Sequence, residues 1–352
     1  MIRVGIVGTG MMANQHAIMM GKIRGVALYC AFDLNLESLD LFCAKHSINK
    51  TFQTLDEMLA DPSLDAICNV TPDRFHKEIS IQALKAGKHV FCEKPLAENY
   101  QDALEMAEVA KESGLINMVN LSYRAAPVVQ KAKKLIESGK IGEVRHVDAS
   151  YLQSWCNNFS WGGWHDNPAW LWRMSTAHGS KGVLGDVGVH IIDFASYPVG
   201  KIETVQANLT HFPKGENGKW KEYTLDANDS ALLTVEFENG AMGTIQSTRW
   251  ASGHANTVKV SIYGTKGGIE IDLSKSMDEL QLCSGDKALI NHTWKSIKAP
   301  KSLNNFKRFI KGIQTGVQDS SDFKRGAEIQ KIIDASIESN EQGRKVALDL
   351  CD

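Results

Sequence analysis

The sequence predicts an α/β protein with two domains, an N-terminal doubly wound parallel sheet and a C-terminal α/β domain with a large, open, mostly antiparallel sheet. Up to about residue 122, short apolar strands alternate with amphipathic helices, the pattern of a parallel sheet covered on both faces. Longer runs of alternating polarity follow, as expected for antiparallel strands. A length of 352 residues accommodates about two such domains.

The N-terminal elements follow from apolar runs and helical periodicity. Strands are predicted over 2–7, 26–32, 66–70, 89–92 and 117–121, and helices from residue 13 and over 36–46, 75–86 and 99–113. Because the carboxyl ends of parallel strands border the crevice of such a sheet, Thr71 and Pro72 are expected to face it.

The C-terminal elements begin after a turn at 139–142. Helices are predicted over 126–138, 302–316 and 322–341, and strands over 145–153, 204–211, 230–237, 241–248, 257–263 and 268–273. The dipeptide Asn239-Gly240 is a hairpin signal between two of these strands. The domains are therefore predicted to comprise residues 1–123 and 124–352, the second serving substrate binding and oligomerisation.

The first strand runs directly into Gly8-Thr9-Gly10-Met11-Met12-Ala13, a G-x-G-x-x-A pattern. Gly8 permits the tight turn, Gly10 lets a pyrophosphate approach the backbone, and Ala13 allows close packing of helix and strand. The phosphates would rest on the helix N-terminus, where unpaired N–H groups favour an anion. The same pattern also occurs in turns that bind nothing, so its context must decide.

Asp33 ends the second strand, about 20 residues beyond this pattern. A carboxylate there accepts hydrogen bonds from ribose hydroxyls and repels a 2′-phosphate, and the following Leu34 and Asn35 offer no guanidinium. NAD is therefore favoured over NADP. The alternative for Asp33 is a helix cap or turn residue, and both descriptions can hold together.

Two later motifs carry a family resemblance. Glu93-Lys94-Pro95 lies in the segment 86–97, and Asp186-Val187-Gly188-Val189-His190 lies in the segment 185–193. Together with the glycine pattern and the stretch from Thr71 to His76, they resemble the Gfo/Idh/MocA family, named after glucose-fructose oxidoreductase, inositol dehydrogenase and a rhizopine catabolism protein. The resemblance covers essentially the whole chain. It implies a Rossmann domain, a C-terminal open-sheet domain, and NAD(P)-linked oxidation or reduction of sugars, cyclitols and related polyols.

The resemblance also implies residue roles. His190 is the acid/base, Asp186 is its paired carboxylate, and Lys94 stabilises developing alkoxide charge; a histidine of near-neutral pKa suits removal of a hydroxyl proton. Glu93 is expected either at the nicotinamide side of the cofactor or holding Lys94. His76 is expected near the cofactor, with a surface position at a helix start as the alternative. An ordinary surface lysine and a core histidine are the structural alternatives for Lys94 and His190.

The segment from Trp155 to Arg173 is predicted to set substrate specificity. It holds five of the eight tryptophans, interleaved with polar residues, and indole faces with polar neighbours suit a carbohydrate; a subunit interface is the rival interpretation. The tryptophans are 155, 161, 164, 170 and 172, and the polar residues include Asn157, Asn158, His165, Asp166 and Arg173. Tyr123 and Arg124 match a position that lines the family's substrate cleft, and Asp193 is either support for His190 or part of an ion pair on the helix surface.

Composition narrows the partners. A net charge of −2 with interspersed signs offers no basic stripe for nucleic acid or an anionic membrane, and no run reaches transmembrane length. Seven scattered cysteines without C-x-x-C spacing fit a reducing cytoplasm and argue against a metal site. A large open sheet seldom leaves an apolar face to water, so a homodimer or homotetramer is expected.

These observations predict an NAD-dependent oxidoreductase that transfers a hydride between a ring hydroxyl of a sugar, anhydrosugar or cyclitol and the nicotinamide. Two alternatives remain. One is a glycoside hydrolase that uses bound NAD in a cycle of oxidation, elimination, addition and reduction, and the other is a sugar and NAD sensor without catalysis. The sequence identifies neither the sugar nor the carbon that reacts.

Overall fold

The computed structural model describes residues 1–157, 163–165 and 167–348. The chain forms two compact units, one of Met1–Leu121 with Leu303–Gln330 and one of Ser122–Ser302 with Lys331–Asp352. In the described part of the chain, no helix is both long and apolar enough to cross a membrane.

The first unit is built on a five-stranded parallel sheet of order β2-β1-β3-β4-β5. Its strands are β1 (Ile2–Val7), β2 (Val26–Phe32), β3 (Ala66–Asn69), β4 (His89–Cys92) and β5 (Asn117–Val119). Its first helices are α1 (Met11–Gly21), α2 (Leu36–His46), α3 (Leu55–Ala60), α4 (His76–Lys85) and α5 (Tyr100–Ser113). The strand order reverses between β1 and β3, and this switch point is where open parallel sheets bind ligands.

Side-chain caps begin several of these helices. The Asn35 side chain accepts the N–H of Ser38 at the start of α2, and Thr54 and Glu57 form a complete capping box on α3. Such contacts satisfy N–H groups that have no partner within the helix and contribute about 1 kcal/mol each. These caps therefore fix where α2 and α3 begin.

The second unit is built on a nine-stranded sheet of order β15-β14-β13-β12-β6-β11-β10-β7-β16. Its strands are β6 (Val144–Leu152), β7 (Ile202–Thr210), β10 (Ser230–Phe237), β11 (Met242–Thr248), β12 (Thr257–Gly264), β13 (Gly267–Asp272), β14 (Glu279–Ser284), β15 (Lys295–Lys298) and β16 (Val346–Ala347), with β8 (Lys219–Trp220) and β9 (Tyr223–Thr224) forming a separate hairpin. Neighbouring strands are antiparallel except β6 and β11, which run parallel. The predicted mostly antiparallel open sheet is confirmed.

Four helices accompany this sheet, α6 (Pro127–Glu137), α7 (Pro168–Leu171), α8 (Val189–Ser196) and α9 (Asp286–Ile290). Residues alternate between buried and exposed along β10, so one face of this strand is covered and the other faces solvent. β14 and β15 were not predicted from the sequence, because polar residues interrupt their short apolar runs.

Two C-terminal helices complete the fold, α10 (Asn305–Thr315) and α11 (Phe323–Gln342). The sequence assigns 302–316 to the second domain, whereas the structure places residues 303–330 in the first unit. Phe306, Phe309 and Ile310 of α10 belong to the same buried core cluster as residues of β1, β3 and β4. The apolar face of α10 therefore covers the parallel sheet, a long-range contact that local periodicity cannot reveal.

Candidate active site

The glycine turn after β1 lies at the switch point of the parallel sheet. Gly8 has φ +87°, and a Cβ there would lie 2.9 Å from the carbonyl oxygen of Val70 and 3.0 Å from the nitrogen of Thr71. The turn therefore passes so close to the end of β3 that only glycine fits. Gly8 and Thr71, both predicted near a dinucleotide, are thus brought together.

The N-terminus of α1 is open to an anion. Gly10 is its N-cap residue and forms no side-chain cap, and no acidic residue lies in the first turn. A Cβ on Gly10 would meet nothing within 4 Å, while Met11 is 71% exposed and Met12 42% exposed. Exposed N–H groups at a helix start with room for close approach fit a pyrophosphate.

Asp33 serves as an anchor for the same turn. Its Oδ2 accepts hydrogen bonds from the N–H and the hydroxyl of Thr9, both at 2.7 Å, and its Oδ1 accepts the N–H of Asn35 at 2.8 Å. The turn role that the sequence left open is therefore real. Oδ2 already accepts two hydrogen bonds, but Oδ1 accepts one and has a further lone pair, so a second role toward ribose hydroxyls is compatible with this geometry.

Lys94 lies in the loop after β4, and hydrogen bonds to the preceding Glu93 hold this loop in place. The Lys94 N–H donates to Glu93 Oε2 at 3.1 Å, and the Lys94–Pro95 peptide is cis. Glu93 Oε1 accepts a hydrogen bond from His16 Nε2 at 2.6 Å and from Asn120 Nδ2 at 2.7 Å. Of the two roles predicted for Glu93, these contacts favour holding the loop.

Glu93 is buried, with 7% of its surface exposed, and charged. Burial alone would raise the pKa of Glu93, but the hydrogen bond from His16, its charge interaction and the bond from Asn120 lower the pKa to about 2. His16 lies in α1 with no exposed surface. A buried hydrogen bond therefore joins the helix that follows the glycine turn to the loop that carries Lys94.

His76 is enclosed by protein at the loops that follow β3 and β4. It has no exposed surface, and its Nδ1 and Nε2 lie 2.8 Å and 2.9 Å from the carbonyl oxygens of Pro95 and Thr71. A ring with both nitrogens occupied by protein atoms has no nitrogen to offer a ligand. The surface position left as the alternative is wrong, because the residue is fully buried.

In the second unit, Asp186 and His190 lie on one continuous helical segment. Asp186 lies in a π-helical turn over Leu184–Gly188, and His190 follows in α8. His190 is 9% exposed, and the ring of Tyr123 meets its imidazole edge to face, with centroids 5.1 Å apart. π-Helical turns are often found at functional sites.

Tyr123 is held by two polar contacts. Its hydroxyl lies 2.8 Å from the hydroxyl of Tyr151 and accepts the amide of Asn256 at 3.1 Å. Burial, followed by contacts with Tyr123 and the charge of Asp186, raises the pKa of Tyr151. The phenol of Tyr151 is thus a neutral group at physiological pH, and it fixes the ring that packs on His190.

Two guanidinium groups hold Asp186. Arg249 Nη2 donates to Asp186 Oδ2 at 3.1 Å, and Arg173 Nε lies 3.6 Å from the same oxygen. The Arg249 side chain is fully buried, whereas those of Asp186 and Arg173 are 21% and 26% exposed. Arg173, predicted in the specificity segment, therefore lies near Asp186 and forms an ion pair with its carboxylate.

Arg124 is a structural residue. It forms a buried bidentate ion pair with Asp193, through Nε to Oδ2 at 2.9 Å and through Nη2 to Oδ1, and its guanidinium covers the ring of Tyr197. With only 2% of its surface exposed, Arg124 does not line a substrate cleft as predicted. Asp193 does form an ion pair, but the pair is buried and does not lie at the helix surface as predicted.

The tryptophans of the specificity segment mainly form a core. Trp155 is 4% exposed and Trp164 is 6% exposed, and both pack in one aromatic cluster with Trp170 and Trp220. Trp155 is covered by the Arg249 guanidinium, 4.6 Å from the ring centroid. In this conformation a sugar cannot stack on Trp155, because the ring is buried and the Arg249 guanidinium covers one of its faces.

His165 and Trp172 remain half-buried. The His165 ring stacks on Trp164 at 4.3 Å, and its carbonyl accepts the indole N–H of Trp220 at 2.8 Å. The predictions for Asn158, Trp161 and Asp166 lie outside the described residues.

Sequence reasoning missed His16, Asn120, Tyr151 and Arg249. Each acts through a partner from a distant part of the chain, for example Arg249 across 63 positions to Asp186. A lone histidine in a helix or a lone arginine at a strand end carries no local signal, so these residues could only be found in the fold.

The fold and these residues define a class of protein. A parallel sheet with a glycine turn at its switch point and an open helix N-terminus is a dinucleotide-binding unit, and a histidine that follows a carboxylate by four residues on one helical segment is a candidate for proton transfer. Together they define a dinucleotide-dependent oxidoreductase.

The comparisons identify the family. Residues 2–121 match the model of an oxidoreductase family with an NAD-binding Rossmann fold, and residues 129–270 match a Gfo/Idh/MocA C-terminal domain. A levoglucosan dehydrogenase of Pseudarthrobacter phenanthrenivorans is 30% identical over 80% of this chain and 76% of that protein. The chain therefore belongs to the Gfo/Idh/MocA family of oxidoreductases.

Other relatives extend the likeness over the full length. A myo-inositol 2-dehydrogenase of Thermotoga maritima is 26% identical over 99% of both chains. The solved structure of a levoglucosan dehydrogenase in complex with NADH superposes with a TM-score of 0.89 at 26% identity, covering 99% of this chain and 100% of that one. The predicted family, fold class, dehydrogenase class and NAD cofactor are confirmed at the level of the family.

Proposed function

We propose that this protein is an NAD-dependent dehydrogenase that transfers a hydride between a ring hydroxyl of a sugar, anhydrosugar or cyclitol and the nicotinamide. The observation that carries the proposal is the helical segment of the second unit, where His190 follows an arginine-held Asp186 by four residues. The named activities of the relatives, on levoglucosan and myo-inositol, support the same substrate class.

NAD, when bound, supplies the hydride acceptor or donor at its nicotinamide. Gly10 and the N–H groups of Met11 and Met12 would hold the pyrophosphate, and the Asp33 carboxylate would accept hydrogen bonds from the ribose hydroxyls. The end of β3, with Thr71 and Pro72, borders the cofactor. The carboxylate of Asp33 also repels a 2′-phosphate, which favours NAD over NADP.

His190 takes the hydroxyl proton in the oxidation direction and returns it in reduction, a step worth about 10²- to 10⁴-fold in rate. Lys94 donates a hydrogen bond to the same oxygen and stabilises its developing negative charge. Asp186 orients the substrate hydroxyl or the imidazole, and the two guanidinium groups around it moderate how strongly its charge favours protonated His190. Tyr123 fixes the plane of the imidazole by packing on it.

Arg173 and His165 are proposed to contact the substrate, because they are the polar members of the specificity segment with exposed surface and a packed aromatic backing. Trp172 offers a partly exposed ring under the Arg173 guanidinium. Trp155 and Arg124 act indirectly, through Arg249 and through Asp193.

The test is an assay of NADH absorbance with purified protein and NAD against inositols, aldoses, anhydrosugars and aryl glycosides, with product analysis of every mixture. Absorbance that rises with one ring polyol supports the dehydrogenase and identifies its substrate class. Release of an aglycone without NADH would instead show the redox-cycling hydrolase. Binding of sugar and NADH with no turnover in either direction would leave the sensor.

The six described cysteines are all buried free thiols, which is compatible with the reducing cytoplasm proposed for this enzyme. We propose assembly as a homodimer or homotetramer through the open face of the nine-stranded sheet.

A further inference from the structure

His76 is a buried titratable group to which the proposed reaction gives no role. It lies in the first turn of α4, and its ring spans two loops. Nδ1 lies 2.8 Å from the Pro95 carbonyl oxygen in the loop after β4, and Nε2 lies 2.9 Å from the Thr71 carbonyl oxygen in the loop after β3. The first loop carries Lys94, and the second abuts the Gly8 turn.

The two carbonyl oxygens that face the ring nitrogens are pure acceptors, and the Cys92 thiol is a third contact of the ring. A neutral imidazole has one donor nitrogen and one acceptor nitrogen, so one of its lone pairs would face a carbonyl oxygen at less than 3 Å. An unmade hydrogen bond of this kind is costly in a fully buried place, because the group has lost water without gaining a partner. A doubly protonated ring donates at both ends and removes the conflict.

The groups around the ring are compatible with a cation. Asp73 precedes α4 and Cys92 approaches from β4. Burial alone would lower the pKa of His76, but Cys92, Asp73 and the Pro95 carbonyl outweigh it and raise the pKa to about 10.

Among the described residues, the charged groups that face α4 from other elements are paired with partners away from the His76 ring. From β3, the amide of Asn69 donates to the His76 carbonyl at 3.1 Å. From α5, Asp102 and Glu105 face α4 and pair with Lys77, at 2.7 Å and 2.6 Å.

We propose that His76 is a doubly protonated clamp, whose two N–H groups tie the Thr71 loop to the Pro95 loop and thereby position Lys94. This role for Lys94 rests on the proposed function, whereas the protonation state of the ring does not. His76 is a positioning residue, since its ring is sealed from any ligand.

The first test is ring ¹⁵N NMR of the wild-type protein labelled at histidine, with assignment through the backbone. We expect both His76 ring nitrogens to carry protons at pH 8. His89 is the internal comparison, because its Nδ1 accepts the N–H of Ile116 at 2.9 Å and burial lowers its pKa. A His76 ring with one unprotonated nitrogen at neutral pH would overturn the clamp.

The second test compares His76→Gln with the matched variant His89→Gln. Glutamine offers N–H donors at one end only, so Lys94 loses one constraint, and kcat should fall about tenfold or more, because small misplacements of reacting groups are costly. NADH affinity, measured by fluorescence without sugar, should change less than kcat. His89→Gln should retain the wild-type kcat and pH profile.

Wild-type kcat in folded His76→Gln enzyme would overturn the positioning role. If His76→Gln does not fold, His76→Asn, whose shorter side chain reaches only the position of Nδ1 and leaves the Thr71 carbonyl unbound, takes its place in the same comparison. Failure to find any oxidised sugar counts against the proposed function alone, because the NMR measurement needs no substrate.

Discussion

Individual side chains in this enzyme are fixed by partners far away in sequence. Lys94, Asp186 and His190 are candidates that two short motifs indicate, because those motifs combine unusual residue types at fixed spacing, and their roles stay predictions. Burial could not be read in the same way. Arg124 and Trp155 have the chemistry of a sugar site, yet each is engaged by another buried residue.

Lys94→Met should reduce kcat by about 10²- to 10³-fold while NADH affinity changes little, since one donor to a developing oxyanion is worth that much. Lys85→Met is the matched control, because Lys85 is an exposed lysine of the same unit. Steady-state kinetics and fluorescence titration measure the two effects. Equal kcat in both variants would remove Lys94 from the reaction.

Arg249→Met should destabilise the protein by about 3–5 kcal/mol, because it leaves Asp186 without its buried partner. The double variant Arg249→Met with Asp186→Asn should lose less than the sum of the single variants, because it also removes the uncompensated charge. Urea denaturation of all four proteins gives the coupling. Strict additivity would mean that the contact is energetically unimportant.

Glu93 predicts a pH dependence of stability. Its pKa falls from 4.5 to about 2 on folding, so its contribution of about 3 kcal/mol is present above pH 4.5 and is lost as the pH falls toward 2. The difference in unfolding free energy between wild type and Glu93→Gln should therefore shrink over that window. A difference that stays constant with pH would contradict an ionised Glu93 in the folded state.

At the scale of elements, most strands and helices of the first unit were predictable because each carries its own periodicity, and side-chain caps add to it at α2 and α5. Elements that depend on distant packing were harder to place. α10 was predicted as a helix, but its place over the parallel sheet follows from Phe306, Phe309 and Ile310 meeting strands nearly 200 residues earlier or more.

The two glycines of the turn before α1 should behave differently. Gly10→Ala adds a Cβ into open space, so the melting temperature should be unchanged while NADH affinity falls, by about tenfold for each 1.4 kcal/mol lost. Gly8→Ala places a side chain at φ +87° against the Val70 carbonyl, and should destabilise the protein by at least about 1–2 kcal/mol.

Calorimetry and NADH titration of both variants separate these effects. Tight NADH binding by a folded Gly10→Ala variant would place the pyrophosphate elsewhere.

At the scale of the whole molecule, the nine-stranded sheet exposes apolar side chains on its open face. Leu232 is 54% exposed, Met242 58% and Tyr263 38%. Met242 and Tyr263 both align with His146 across β11, β6 and β12, and Tyr263 stacks on His146. Such a patch is expected to be covered by a second copy of the chain.

Light scattering should therefore give a mass of two or four chains. Met242→Glu combined with Tyr263→Lys should shift the mass toward one chain, whereas the same charges placed at exposed Leu34 and Leu41 of the first unit should not. A wild-type protein of monomer mass at micromolar concentration would refute assembly through this face.

The position of α10 also sets the order in which the molecule can mature during synthesis. The sheet that binds the dinucleotide is translated within the first 121 residues, yet the helix that seals one of its faces begins only at Asn305. On the ribosome this sheet must wait, with an apolar surface open, while strands β6 to β15 of the second sheet are made. The unit that is translated first is therefore completed only after most of the second unit has been synthesised, and a nascent chain that stalls before α10 is the form most in need of a chaperone.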